Sequence, residues 1–389
     1  MREFTLDPKK QSFIDRGECF FYERDFAESI KSCTPGEWAF IKLKDRKILG
    51  FINPFILDGT SVTVVDTGIT DPEQFLKVQI KKTVEKRKLF GYGTGSRIIY
   101  GFEDNLPGII ADMYSEVVLV QINNAGMDRY RELIKDTLKD QLEKEIIFLD
   151  NQKYREKEGL PAFDKESLPE IMKIEECNLK YEVPSAVMQK VGYYYDHREN
   201  RLKLEGLLNR FNRDFSKGVD LFCYIGSWGM HALRSGVDHV EFVDQGNMDS
   251  VVMNNVALND FDVKRAKFTR QDVFKFLDDS IEQGKEFDLV VCDPPAFTKN
   301  AKNKNKALAG YEKLYNKIFK LMEPNSILAA ASCTQNISLE ELDLAVVKTA
   351  QKNGRKVQVL DLGIQGWDHP VKTLKSKSNY IKYLCYIVE

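Results

Sequence analysis

The spacing of hydrophobic positions divides the chain into three successive segments. Up to about residue 70 they alternate with polar positions in short runs at 37–45, 47–55 and 61–68, separated by charged or Gly/Pro turns. This alternation is typical of β-strands with one buried face. It predicts a small β-rich module over residues 1–70.

In the second segment, residues 71–182, hydrophobic positions recur at strand spacing in some stretches and at helix spacing in others. A basic stretch at 77–90 predicts a helix whose Lys and Arg side chains fit a solvated face. Further on, a helical pattern at 127–144 and a hairpin pattern near 171–182 accompany strand-like runs at 96–102, 108–114, 116–123 and 145–150. Together they predict a central α+β module.

In the third segment, residues 183–389, predicted strands and helices alternate strictly. Parallel strands require crossover helices, so this alternation predicts a Rossmann-like α/β sheet of seven mostly parallel strands, with ligands at their carboxyl ends. The predicted strands are 218–224, 240–244, 266–271, 287–293, 325–333, 355–362 and 380–388. The chain as a whole is predicted to be a multidomain α/β protein.

Composition narrows the class of protein. A net charge of −2 argues against a protein that coats nucleic acid by charge alone. The seven cysteines are scattered without a C-x-x-C pair, which indicates a reduced compartment with neither disulfides nor structural zinc. The sequence has no secretory signal and no run of 18 apolar residues. We therefore expect a cytoplasmic protein with no membrane or metal partner, and homodimer formation is left open.

The first three strands of the third segment end in residues that suit a nucleoside. The first strand leads into a turn with Gly226 and Gly229, after which a helix begins. Such a turn can approach a ligand closely, and a tight turn without a ligand is the alternative. The next ends on Asp244, whose carboxylate can accept both hydroxyls of a ribose. The third ends at Asp272, which either accepts from an adenine amino group or caps the next helix. Because no phosphate-binding loop occurs, the pattern favours S-adenosylmethionine over NAD or ATP.

The fourth and fifth strands bring candidate catalytic groups. FDLVVCDPPAF ends a strand on Asp293, and the two prolines hold its carbonyl and side chain as rigid acceptors for a planar base; a simple proline-terminated strand is the alternative. The fifth strand ends at Cys333, which is either a small buried hydrophobe or a nucleophile. A thiolate that adds to carbon 6 of cytosine makes carbon 5 able to take a methyl group, and an acid near nitrogen 3 stabilises the adduct.

Several stretches, in this order, resemble the RlmI-type class I methyltransferases, PUA-domain enzymes that methylate carbon 5 of cytosine in 23S ribosomal RNA. They are RKLFGYGTGSRIIYGFEDNLPGIIADMYSEVVLVQINNAGMD (87–128), GYYYDHRENR (192–201), DLFCYIGSWGMHAL (220–233), CDPPAF (292–297), ASCTQNIS (331–338) and WDHPV (367–371). The resemblance covers nearly the whole chain. It implies an N-terminal PUA-like RNA-binding domain, a central α+β domain and a catalytic domain at 183–389.

The resemblance also implies roles for single residues. Cys333 would be the nucleophile, and Asp293 would contact the target base. S-adenosylmethionine would be held by Tyr224, Gly226, Gly229, Asp244, Gln245, Asp272 and Arg198. The RNA substrate, 23S ribosomal RNA or a large-subunit precursor, would meet Pro294, Pro295, Phe297, Lys299 and Arg201. Arg198 and Arg201 would line the entrance, and the lysines of 299–306 would grip phosphates or form a solvated loop.

Departures from the family pattern leave other functions open. Ser227 and Trp228 separate glycines that are usually adjacent in the family, and SCTQN replaces SCS followed by two histidines. An N-methyltransferase for guanine or adenine would not need Cys333, although such enzymes often place an aromatic directly after the prolines, where Ala296 stands. A ribosome-binding protein that has lost catalysis is a third reading, and the presence of Cys333 with both strand-end acids weakens it.

Overall fold

The computed structural model describes residues 1–56, 59–163, 166–188, 192–298, 300–374, 376 and 378–389. The chain divides into two compact units, Met1–Glu170 and Ile171–Glu389. In the described part of the chain, no helix has the length and apolarity needed to cross a membrane.

The N-terminal strands build a small sheet in the first unit. Its elements are β1 (Glu3–Thr5), α1 (Gln11–Asp15), β2 (Phe20–Phe21), β3 (Glu37–Lys42), β4 (Lys47–Ile52) and β5 (Val62–Val65). Among the described residues the sheet has five strands in the order β1-β3-β4-β5-β2. The predicted runs correspond to β3, β4 and β5, whereas β1 and β2 are too short to show a periodic pattern.

A second sheet with its helices completes this unit. The elements are α2 (Pro72–Lys88), β6 (Ser96–Tyr100), β7 (Ile109–Met113), β8 (Val117–Ile122), α3 (Ala125–Asp128), α4 (Arg131–Leu142), β9 (Glu145–Phe148) and α5 (Gln152–Lys157). Over the described ranges the sheet order is β6-β7-β8-β9. Helix α2 begins as its sequence indicates, because Asp71 accepts from the backbone N–H of Gln74 and Pro72 is the first helical residue. The helix predicted at 127–144 is split into α3 and α4.

Trp38 lies in a hydrophobic core that residues of both sheets share. Its indole N–H donates to the carbonyl of Gly126 at 2.9 Å, and its ring packs against Phe51 and Phe75. A Cβ on Gly126 would lie 2.2 Å from the Phe51 ring, so only glycine allows this approach. The shared core explains why the first 170 residues form one compact unit, and the expected domain boundary at residue 70 stays a prediction.

The second unit contains the large sheet. Its strands are β10 (Ile171–Glu176), β11 (Leu179–Pro184), β12 (Lys217–Leu221), β13 (His239–Asp244), β14 (Ala266–Arg270), β15 (Phe287–Cys292), β16 (Met322–Ser332), β17 (Val357–Gly363) and β18 (Lys382–Val388). Its helices are α6 (Arg198–Leu208), α7 (Ser227–Arg234), α8 (Asp249–Leu258), α9 (Val273–Glu282), α10 (Lys304–Ile318) and α11 (Leu339–Lys352).

Seven of these strands, within the described residues, form a sheet in the order β14-β13-β12-β15-β16-β18-β17. The first five run parallel, and β18 is antiparallel to both of its neighbours. The predicted seven-stranded, mostly parallel sheet is confirmed. The order reverses between β12 and β15, and the crevice beyond the carboxyl ends of strands at such a point is where ligands bind in open α/β sheets.

The hairpin β10–β11 belongs to this second unit, not to the central module in which the sequence analysis placed it. Asn255 of α8 accepts from the backbone N–H of Glu182, and Asn259 bonds both backbone groups of Lys180. These side-chain amides bind backbone groups of β11 and hold the hairpin against α8. Amides so far away in sequence gave no signal for this placement.

Candidate active site

The turn after β12 has an unusual backbone. Phe222, Tyr224 and Gly226 have φ angles of 62°, 50° and 86°, in the left-handed region that bulky side chains rarely enter. For Phe222 and Tyr224, but not for glycine, such conformations cost about 1–3 kcal/mol each and persist only where surrounding contacts impose them. Here the turn leads directly into α7, at the point where the sheet order reverses.

Asp244, the last residue of β13, fixes this turn. Its carboxylate accepts from the N–H of Tyr224 at 3.1 Å and from the N–H of Gly246 at 2.7 Å, each on a different oxygen. Each oxygen of a carboxylate can accept a second hydrogen bond, so a vicinal diol still has acceptors here. Gln245 is exposed beside it. The expected pocket for a ribose therefore has suitable chemistry.

Asp220 closes the other side of the turn. It is buried, and one of its oxygens accepts from the N–H of Gly229 at 2.9 Å, while the other has no hydrogen-bond partner among the described groups. Burial raises the pKa of Asp220 to about 8, and the nearby Asp293 and Asp244 act in the same direction. At neutral pH this carboxyl is mostly protonated. The sequence analysis assigned no role to Asp220.

The two glycines of the turn are required by packing. A Cβ on Gly229 would lie 2.2 Å from the Phe242 ring, and one on Gly226 would lie 3.0 Å from it. Their absent side chains let α7 sit directly on β13. This is the close helix–strand packing that one glycine of nucleotide-binding turns provides.

Asp272 caps α9, because its side chain accepts from the backbone N–H of Lys275 at 3.1 Å. The sequence analysis left capping and adenine binding open. The capping bond uses one oxygen, and the side chain is exposed at the carboxyl end of β14, next to Asp244. An adenine amino group can still reach its second oxygen.

Asp293 directly follows β15 and is held from two sides. The Trp228 indole N–H donates to one carboxylate oxygen at 3.0 Å, and Nε2 of His197 lies 3.5 Å from the other. Trp228 stacks on Tyr383, with ring centroids 5.6 Å apart. Trp228, which had counted as a departure from the family glycines, thus orients the candidate base-binding acid. Neither Trp228 nor His197 had been given a role from the sequence.

Cys333 directly follows β16, the neighbouring parallel strand. Its Sγ lies 3.9 Å from the carbonyl oxygen of Pro294, so the structure brings it beside Asp293 as the strand pairing predicted. The buried hydroxyl of Tyr311 bonds both flanking residues, Ser332 at 2.7 Å and Thr334 at 3.0 Å. The half-buried thiol is therefore held at a fixed position at the sheet edge.

The other residues that were expected to contact the RNA differ in exposure and packing. Pro294 is buried, and Pro295 is exposed. Phe297 packs on Tyr311 with centroids 4.6 Å apart, so one face of its ring is occupied. Lys299 lies outside the described residues. The lysines that follow it belong to a helical segment, Ala301–Asn303 and α10, where Lys304 pairs with Glu341.

Arg198 and Arg201 occupy the interior, which differs from the expectation that they line an entrance. Their exposed fractions are 0% and 1%. Arg201 binds both carboxylate oxygens of Glu176 at 2.7 and 2.8 Å, and Nε of Arg198 donates to the same carboxylate at 3.2 Å. Arg198 also pairs with Asp368 at 3.6 Å. Because the guanidinium groups face a buried carboxylate on the hairpin, these arginines hold the fold together.

The site fits a nucleoside cofactor without a phosphate. The strand-end acids offer acceptors for hydroxyl and amino groups, and a carboxyl oxygen of Asp220 is buried without a partner under the turn. Carboxylates at these positions would repel a phosphate, whereas S-adenosylmethionine carries a sulfonium and an amino group instead. Among the described residues, no cluster of three or more His, Cys, Asp or Glu could hold a metal ion.

Comparisons with known proteins show which proteins the chain is similar to. Residues 203–360 match the family model described as conserved hypothetical protein 95. The chain is 31% identical over 309 residues to ribosomal RNA large subunit methyltransferase I of Pseudoalteromonas atlantica, covering 78% of this chain and 76% of the relative. The protein of the same name from Tolumonas auensis is 32% identical over 295 residues, covering 74% and 73%.

Solved structures show the same fold. A structure from Streptococcus mutans, described as a candidate SAM-dependent methyltransferase, has a TM-score of 0.77 at 18% identity, with both chains fully covered. Another, described as a candidate methyltransferase complexed with SAH, has a TM-score of 0.78 at 17% identity, again over the full length of both chains.

Proposed function

We propose that this chain, which belongs to the ribosomal RNA large subunit methyltransferase I family and uses S-adenosylmethionine to methylate ribosomal RNA, forms 5-methylcytosine. The observation that carries the proposal is the position of Cys333. Its thiol lies at the carbonyl of Pro294, immediately after Asp293, at the edge of the sheet where the cofactor residues converge. An enzyme that methylates an exocyclic nitrogen has no use for a thiol at this position.

The strand-end residues of the second unit would hold the cofactor. Asp244 would accept from the ribose hydroxyls, Asp272 would accept from the adenine amino group, and Gly226 and Tyr224 would shape the turn between them. When bound, S-adenosylmethionine supplies the electrophilic methyl group. Gln245, exposed beside Asp244, is a further candidate contact.

Cys333 would act first on the RNA base. Its thiolate adds to carbon 6 of cytosine, an S–C6 bond forms, and the electron pair of the C5–C6 double bond makes carbon 5 nucleophilic. Once carbon 5 has gained the methyl group, it gives its proton to a base. The electron pair of that C–H bond restores the C5–C6 double bond, the S–C6 bond breaks and the thiolate is regenerated. The Tyr311 hydroxyl supports both steps by holding the residues on either side of the nucleophile.

Asp293 would accept from the amino group of the cytosine and, as the thiolate adds, from nitrogen 3 once it is protonated. The hydrogen bond from Trp228 orients the carboxyl group, and His197 packs beside it, so the base would be held in one orientation relative to the thiol. Such preorganised placement is what distinguishes transition-state stabilisation from mere binding. Pro295, exposed next to this pair, would contact the base or its sugar.

The test is a nucleoside-level mass analysis. Unmodified 23S ribosomal RNA and a large-subunit precursor are incubated in parallel with the protein and methyl-labelled S-adenosylmethionine, then digested completely. We expect label in 5-methylcytosine. The variant Cys333→Ala should lose it, whereas Cys19→Ala, which removes another half-buried thiol far along the chain, should retain it.

Two outcomes would contradict the proposal. Label in a guanine or adenine derivative that persists in Cys333→Ala would identify an N-methyltransferase. Absence of label on both substrates, with S-adenosylmethionine still bound, would point to a ribosome-binding protein without catalysis. The expected cytoplasmic location stays a prediction from the sequence, and homodimer formation stays open.

A further inference from the structure

Lys382 is a buried lysine next to the candidate nucleophile. It opens β18 and pairs in the antiparallel ladder with Ser332, the residue directly before Cys333. Only 6% of its surface is exposed. Lysines are almost never buried to this degree without a partner, because removing an ammonium from water is costly.

The ammonium group of Lys382 is held at the turn that presents the thiol. Its Nζ donates to the carbonyl oxygen of Thr334 at 2.8 Å and to that of Tyr380 at 3.0 Å. Thr334 directly follows Cys333, so the charged group lies beside the nucleophile's own backbone. An ammonium has three N–H donors, and within the described residues the protein accepts from two of them.

The groups around Lys382 and Cys333 act on the ionisation of these two side chains in opposite directions. Burial lowers the pKa of Lys382 to about 8, and the charges of Cys333 and Glu341 oppose that shift. Asp293 directly follows β15 and precedes Pro294, whose carbonyl oxygen lies 3.9 Å from the thiol, and its negative charge disfavours a second one nearby. Tyr194 and Tyr311 also act electrostatically on Cys333, and burial raises the pKa of both phenols, so they are neutral at pH 7. Glu341 is itself paired with Lys304.

We propose that the ammonium of Lys382 stabilises the thiolate of Cys333, and that it is a positioning residue which sets the pH at which the nucleophile forms. The equilibrium is amine plus thiol against ammonium plus thiolate, in which one proton moves from sulfur to nitrogen and no electrons are exchanged. The proposal rests on the role assigned to Cys333 above. It adds a residue from the far end of the chain to the reaction, one that acts through the thiol.

The test measures the ionisation of the thiol directly. The rate of iodoacetamide alkylation at the Cys333 peptide is followed by mass spectrometry from about pH 6 to about pH 10, because only the thiolate reacts. Lys382→Gln keeps a hydrogen-bond donor but removes the charge, and Lys382→Arg keeps the charge. Lys348→Gln removes the charge of an exposed lysine on α11 and is the matched control. Thermal melting of each variant checks that it is folded.

We expect the apparent thiol pKa to rise by about 1 unit or more in Lys382→Gln, with alkylation near pH 7 falling about tenfold, and to stay near the wild-type value in Lys382→Arg and the control. A purely structural role would leave the thiol pKa unchanged in a folded Lys382→Gln, and that result overturns the proposal. If Lys382→Gln does not fold, the wild type decides. The proposal requires the ammonium to outweigh Asp293, so a thiol that ionises at or above about 8.5, the value of a free cysteine, overturns it.

The assay uses neither RNA nor methyl transfer, so the two proposals fail separately. A protein that makes 5-methylcytosine but shows no effect of Lys382 refutes only this inference. A protein that makes none, yet has the shifted thiol, refutes only the proposed reaction.

Discussion

Replacing Glu176 by glutamine tests whether Arg198 and Arg201 hold the fold together. The carboxylate of Glu176 is fully buried and accepts from both arginines and from the Tyr193 hydroxyl at 3.0 Å. Glutamine keeps the size of the side chain and removes its charge. Two buried guanidinium groups would then share one acceptor oxygen, while Asp368 would remain as a counter-charge for Arg198.

The expected loss of stability follows from that geometry. Removing one partner of a buried ion pair costs about 3–5 kcal/mol, because the other charge is left in the interior. For a unit of about 220 residues, each kcal/mol lowers the melting temperature by about 2–4 °C. We therefore expect Glu176→Gln to melt roughly 6–20 °C below the wild type.

The same charges determine how this deficit depends on pH. Burial alone would raise the pKa of Glu176, but Arg201 and Arg198 outweigh it and hold the pKa well below its ordinary value. A lowered pKa stabilises the folded state above the unfolded value of about 4.3 and loses that contribution as the pH falls toward the folded value. The gap between wild type and variant should be full at pH 7 and narrow below about pH 4.

Calorimetry on wild type, Glu176→Gln and Glu175→Gln measures these effects. Glu175 is the exposed neighbour on the same strand, so its variant controls for the loss of one negative charge. A deficit of less than about 1 kcal/mol relative to that control would refute the reasoning. The arginines would then be available again as candidates for RNA or cofactor binding.

Two further predictions concern the cofactor turn. Gly229→Ala should lower stability by about 1–3 kcal/mol in urea unfolding and weaken S-adenosylmethionine binding in calorimetric titration, because the new Cβ overlaps Phe242. The control is Gly206→Ala on α6, which has open space around it and should be neutral or stabilising. Equal effects of the two substitutions would contradict the packing argument. Because the pKa of Asp220 is raised by burial, the folded protein retains a proton that the unfolded chain releases between about pH 4 and pH 8. Stability should fall as pH rises through that window, and Asp220→Asn should flatten the slope; an unchanged slope would contradict the assignment.

The sequence allowed a prediction of which candidate site residues lie close together when those residues stand at the ends of strands. Asp244, Asp293 and Cys333 each end a strand of a parallel sheet, and the carboxyl ends of such strands meet at one edge. Their proximity could therefore be predicted without coordinates. The seven-stranded sheet was predictable for the same reason, since strict alternation of strands and helices allows few other arrangements.

Residues whose partners come from distant elements were not predictable in this way. Arg198 and Arg201 looked like exposed charges until Glu176, on a hairpin before the sheet, was found to neutralise them. Lys382 lies on a strand that inserts between two others, so its neighbour depends on a pairing that periodicity does not specify. Trp228 looked like a disruption of the glycine turn, although its indole reaches Asp293.

The insertion of β18 between β16 and β17 has a consequence for the order of synthesis. The ribosome translates β18 after every other strand of this sheet, yet β18 pairs on both of its edges. Until residues 382–388 have emerged, β16 is an unpaired edge of a nascent sheet, and the ladder that places Lys382 beside Cys333 does not exist. The last strand of the sheet to be made thus completes the surroundings of Cys333, the proposed nucleophile, to which Pro294 and Tyr311 contribute earlier.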